Sequence, residues 1–101
     1  MNAARIVTTA ALLFALTCPA RAAGPADAPP GAMSCSGCHP AAQRVDTTVP
    51  RLIGRNPADI TTAMLAFKSG QVPSTVMDRI AKGFSEDEIK AIAAWYGVQK
   101  N

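Results

Sequence analysis

The sequence predicts a small all-α domain, and three observations predict it. Two segments repeat apolar residues at helical spacing and open on capping residues. No stretch alternates apolar and polar residues as a half-buried strand would. Proline and glycine punctuate the chain between the helical segments, and no internal repeat is visible. About three main helical pieces are expected.

Taken in chain order, the first 22 residues read as a cleavable export signal. Met1 to Arg5 form a basic start and residues 6–17 an apolar run too short to span a bilayer; Ala20-Arg21-Ala22 is a small-x-small cleavage pattern. The expected location is therefore periplasmic, with a retained membrane anchor as the alternative if cleavage fails. A lipidated Cys18 fits less well, because Thr17 is large and Pro19 follows. Residues 23–32 form an arm rich in Pro, Ala and Gly, and the folded domain is expected over 33–101. Pro29, Pro30 and Gly31 confine any helix around Cys35 to a short turn, and Pro40 stops it on the far side. Residues 41–55 show no strong period and contain Pro50, which reads as a wrapping loop.

The segment 56–70 predicts a well-bounded helix. Asn56 is an N-cap, Pro57 takes the first position, where its missing N–H costs nothing, and Asp59 complements the helix dipole. Ile60, Ala63, Met64 and Phe67 share one face, and Gly70 is a natural stop. Residues 71–83 are broken by Pro73 and Gly83, with room for a short helix at 75–82. Ser85 and Glu88 spell a capping box for a last helix. Its apolar face is Ile89, Ile92, Ala93 and Tyr96, and Gly97 is expected to end it.

Charge excludes rather than selects. The chain carries 10 Lys+Arg against 7 Asp+Glu, and loss of Arg5 and Arg21 with the signal leaves 8 against 7. So small an excess gives no reason to expect nucleic-acid binding, and no apolar run remains to span a membrane after processing. Phe67, Phe84, Trp95 and Tyr96 are the only aromatics beyond the signal, so the unaided core is marginal for a domain of this size.

The most informative string is Cys35-Ser36-Gly37-Cys38-His39, a C-x-x-C-H attachment pattern for c-type haem. Two cysteines three apart on a helical turn share a face, so both sulfurs reach the vinyl groups on one porphyrin edge. His39 then lies under the iron as proximal ligand, and small Ser36 and Gly37 leave room for the ring. A haem-free exported dithiol or disulfide protein using Cys35 and Cys38 is the alternative. It lacks the β-α-β setting of thioredoxin-like pairs. A structural zinc site would stop at three ligands, because no Cys or His follows His39.

Methionine is the usual second axial ligand in electron carriers, its soft thioether favouring Fe(II). Met33 is tethered on the proximal side and cannot cross the ring. Met64 sits in the apolar stripe of the middle helix, where methionine is ordinary core. Met77, 38 residues beyond His39 in a Pro- and Gly-bounded loop, has the reach to pass round the ring, with Val76 and Ile80 placed to keep the site dry. Met77 is preferred; Met64, Lys82 and an open distal face stay as alternatives. The backbone carbonyl of Pro50 is the expected acceptor for the second ring N–H of His39.

Together CSGCH, the loop VPRLIGR, the capped middle helix and the methionine segment resemble a class I cytochrome c. The run STVMDRIAKGFS, residues 74–85, resembles more specifically the cytochrome subunit of flavocytochrome c sulfide dehydrogenase, and the likeness covers about residues 33–96. It implies a class I cytochrome c fold around one covalently bound haem c, with Met77 as the axial methionine. It also implies an electron-carrying subunit, not itself catalytic. Such a subunit docks on a flavoprotein that oxidises sulfide and passes electrons to a soluble cytochrome or oxidase acceptor. The chain departs from the family pattern in having a single haem motif, Pro40 where glycine is common, and an arm in place of the N-terminal helix. That last departure weakens the expected packing onto Trp95 and Tyr96. Arg44, Arg51, Arg55, Arg79 and Lys82 are a candidate basic rim for an acidic redox partner, with ordinary solvated charge as the alternative.

Overall fold

The computed structural model describes residues 27–42 and 46–100, so the expected signal over 1–22, the start of the arm and Arg44 lie outside the described residues. Among the described residues there are four helices and no strand: α1 (Ala32–Cys35), α2 (Pro57–Ser69), α3 (Met77–Lys82) and α4 (Glu86–Val98). The all-α expectation holds, with two of the helices short. No helix among the described residues is long and apolar enough to cross a membrane.

Local chemistry explains most of the boundaries. The Asn56 side chain accepts the Ala58 N–H at 2.9 Å, and α2 stops where Gly70 turns left-handed at φ 78. At the start of α4, Ser85 Oγ accepts the Glu88 N–H at 3.2 Å and the Glu88 carboxylate accepts the Ser85 N–H at 2.7 Å, completing the capping box.

One boundary differs from expectation. Gly97 does not end α4, which runs on to Val98 with Gln99 as its cap. The glycine is there for proximity: a Cβ would stand 2.5 Å from Pro57 Cγ and 3.0 Å from the Arg55 carbonyl oxygen. Its lack of a side chain lets α4 press against the start of α2.

Helix α2 packs against both α3 and α4, and α1 rests on α4. The Lys68 ammonium, in the last turn of α2, donates to the Phe84 carbonyl between α3 and α4, fastening the three helices at one end. The buried core is Ala32, Ile60, Met64, Ala81, Ile89, Ile92, Ala93 and Tyr96. Three of these are alanines, so little apolar area is buried between the helices themselves. The larger apolar surface lines a cleft instead.

Candidate functional site

Residues far apart in sequence converge on one cleft of about 290 Å³. One wall carries Cys35, Cys38 and His39 of the C-x-x-C-H turn, with Pro50 and Leu52 of the following loop. The expected face of α2, namely Ile60, Ala63, Met64 and Phe67, lines it as well, together with Met77 and Ile80 of α3 and Ile89 and Ile92 of α4. Among the described residues, Arg55 and Asp59 are its only charged lining groups. Val76, expected to help shield the site, is instead 54 % exposed and outside the lining, because α3 turns Met77 and Ile80 inward.

The attachment turn is helical at its centre. Cys35 O accepts the His39 N–H at 2.9 Å and the Cys38 N–H at 3.2 Å, which brings both thiols and the imidazole to one side. The two sulfurs are not joined to each other. Burial pushes the Cys35 thiol above its ordinary range, outweighing hydrogen bonds that act the other way.

His39 Nδ1 lies 2.5 Å from the Pro50 carbonyl oxygen. A carbonyl only accepts, so Nδ1 carries the proton and Nε2 presents its lone pair. That is the tautomer a metal-ligating histidine needs.

Met77 is the first residue of α3, not part of a loop, and is half-buried in the cleft wall. Ser74 Oγ accepts the Asp78 N–H at 2.8 Å and stands 3.1 Å from an Asp78 carboxylate oxygen, bracketing Met77 from both sides. The Ser74 hydroxyl, donating to that oxygen, is the chief cause that holds the Asp78 carboxyl below its usual range. Met64 also lines the cleft, but as a buried core residue of α2. Met33 is 52 % exposed and outside the lining, while Lys82 is exposed at the end of α3 and likewise outside it.

Of the expected basic rim, Arg55 borders the cleft, Arg79 and Lys82 are exposed on α3, and Arg51 is half-buried. Sequence reasoning missed Tyr96 as a polar anchor. Its side chain is buried, and its hydroxyl donates to the Ala32 carbonyl at 2.6 Å and lies 2.9 Å from Ser36 Oγ. Burial raises the pKa of this phenol. Ser36 is thus more than a small spacer. Tyr96 is held by these bonds and by the edge-on contact with the Trp95 ring. A polar tip on an otherwise apolar helix face was the available signal, and it did not name a partner.

The donor set fits a covalent haem. Two free thiols, an imidazole with the right tautomer and a thioether border one largely apolar cleft. Among the described residues no group of three or more His, Cys, Asp or Glu has the geometry of a metal site.

No protein-family model matches the chain. It is similar to the cytochrome subunit of sulfide dehydrogenase from Chlorobaculum tepidum, 42% identical over 65 residues, 64% of this chain and 59% of that protein. The chain thus spans less than two thirds of the length of the curated relative it matches. The resemblance to a c-type cytochrome, and to that subunit in particular, is borne out.

Proposed function

We propose that this chain is an exported single-haem c-type cytochrome that carries one electron at a time between redox proteins. The observation that carries the reading is the convergence of Cys35, Cys38, His39 and Met77 on one apolar cleft. When bound, haem supplies the Fe(III)/Fe(II) couple. The residues of the chain hold and tune it. Cys35 and Cys38 anchor it through thioethers. His39 offers Nε2 from the proximal side, its ring held by the Pro50 carbonyl. Met77 offers a soft sulfur from α3. Ile60, Phe67, Ile80, Ile89 and Ile92 keep water from the ring. With both His39 and Met77 offered to the iron, the chain by itself would act as a carrier and not a catalyst.

The relative's name supports a finer reading, in which the chain is the electron-accepting subunit of a sulfide-oxidising flavoprotein. Export rests on residues 1–22, whose basic start, short apolar run and Ala20-Arg21-Ala22 pattern suit a signal cut near Ala22. Covalent haem attachment on reduced thiols outside the cytoplasm agrees with it.

The test is the visible spectrum of protein exported from a host that matures c-type cytochromes, recorded again after denaturation. Haem absorbance that stays with the unfolded polypeptide is the expected result, and a colourless product overturns the proposal. For the finer reading, sulfide and the flavoprotein together should reduce the haem faster than sulfide alone; equal rates would remove that partner.

A further inference from the structure

We infer that Tyr96 is a positioning residue for the proximal imidazole, tying together the two segments that hold His39. It does so with its hydroxyl on the attachment turn and its backbone carbonyl on the Pro50 loop. The inference rests on the haem reading above and extends it to a residue outside the cleft lining.

His39 is restrained at two points. Its backbone N–H is bonded to Cys35 O at 2.9 Å, and its ring Nδ1 to the Pro50 carbonyl at 2.5 Å. The first restraint belongs to the attachment turn and the second to the loop, so the ring is only as fixed as these two segments are fixed to each other. Tyr96 touches both.

On the turn, the Tyr96 hydroxyl donates to Ala32 O at 2.6 Å. Its single proton is committed there, so Ser36 Oγ, 2.9 Å away, is the donor of the second bond. Ala32 and Ser36 flank Cys35 on either side. Helix α1 is four residues long; the carbonyls of Met33, Ser34 and Cys35 take backbone N–H groups of the residues that follow, from Ser36 to His39. The carbonyl of Ala32, its first residue, takes the phenol from 64 residues away.

On the loop, Tyr96 O accepts the Gly54 N–H at 3.1 Å, four residues beyond Pro50. The next residue, Gly97, reinforces this attachment, since its bare Cα faces the Pro57 ring and the Arg55 carbonyl. Trp95 packs edge-on against the Tyr96 ring, with centroids 4.8 Å apart and an interplanar angle of 83°, which limits its swing. The side chain is 2% exposed, so water cannot easily replace the bonds it makes.

The orientation of an axial histidine and the strength of its outer hydrogen bond set how strongly it donates to the metal. Removing the phenol oxygen takes this bond from the Ala32 carbonyl and frees the turn to shift against the loop. The length of the Nδ1–H···O bond then changes, and so does the field at the iron.

The test uses the exported, haem-loaded protein in three variants: Tyr96→Phe, Ser36→Ala, and Leu65→Ala as a control that thins the packing of α2 away from the cleft. Two readouts report the proximal side: the paramagnetically shifted NMR resonances of the His39 ring and haem methyls in the oxidised protein, and the midpoint potential. Tyr96→Phe should move both. Ser36→Ala should move them in the same direction and less, while Leu65→Ala should lower the melting temperature and leave both in place. Unshifted resonances and potential in Tyr96→Phe overturn the inference, as does an equal displacement by Leu65→Ala. Should Tyr96→Phe fail to accumulate, Ser36→Ala decides by the same readouts. A colourless wild-type product overturns the haem reading itself, before any variant is compared.

Discussion

Replacing Gly97 by alanine sets two effects of opposite sign against each other. Gly97 lies inside α4, where helix propensity alone favours alanine by about 1 kcal/mol. The added methyl would meet Pro57 Cγ at 2.5 Å, Pro57 Cδ at 2.9 Å and the Arg55 carbonyl oxygen at 3.0 Å. Unstrained carbon contacts sit at roughly 3.5–4.0 Å. Neither obstacle yields easily, for one is a proline ring at the first position of α2 and the other is backbone. Relief requires the end of α4 to withdraw, at an overpacking cost of roughly 1–3 kcal/mol. The withdrawal also stretches the Gly54–Tyr96 bond, worth about 1 kcal/mol. The contacts outweigh the propensity, and the net loss comes to about 1–3 kcal/mol. For a domain of this size that is a fall in Tm on the order of 10 °C, readable by circular dichroism on the haem-loaded protein. Gly70→Ala is the companion measurement. There nothing stands within 4 Å, but φ is 78, so the cost is the left-handed conformation alone, about 1 kcal/mol. A Gly97→Ala protein as stable as wild type, or more stable, refutes the packing of α4 against residues 55–57.

Three further outcomes follow from the site and its frame. Met77→Ala should abolish the far-red band of methionine-ligated Fe(III) while haem stays covalently bound; survival of the band reassigns the ligand, with Met64 the next residue on the cleft. Replacing both Cys35 and Cys38 by serine should give a chain with no cooperative thermal transition by calorimetry, because the helices bury so little apolar area without haem. Ser85→Ala should remove one half of the capping box of α4 and lower stability by about 1 kcal/mol in a denaturant titration.

How much of this was legible in the sequence depended on how local the cause was. Asn56, Pro57 and Gly70 bound α2 by their own conformational preferences, and Ser85 with Glu88 opened α4 by a bond three residues long, so these elements were readable. The cleft-facing stripe of α2 was readable for the same reason, since its period needs no knowledge of the partner. Gly97 was misread because its reason lies in Pro57 and Arg55, about forty residues earlier in the chain, and a glycine near a helix end looks like a stop. Tyr96 was counted among the apolar residues because nothing in its own segment reveals that Ala32 and Ser36 wait for its hydroxyl. Around Met77 the breakers Pro73 and Gly83 dominate and show room for a short helix at 75–82 without its start, which the Ser74–Asp78 bond sets at Met77 itself.

The same distinction separates the two candidate axial residues. His39 is held by bonds that reach across the fold: to Pro50 directly, and through its turn to a buried phenol of α4. Met77 is held by an exposed bracket between Ser74 and Asp78, four residues apart. Water competes with an exposed bracket of this kind, so its net worth is about 1 kcal/mol or less; the His39–Pro50 bond is exposed too, but the turn that carries His39 is also held by the buried phenol, whose bond breaks only when α4 leaves the turn. Unequal restraint predicts unequal release. In a denaturant titration of the oxidised protein, the far-red band should vanish before the helical signal falls, and the histidine-bound haem spectrum should follow the helical signal. Coincident loss of all three would mean that α3 is as firmly held as α4, and that the Ser74–Asp78 bracket is not the weak point of the cleft.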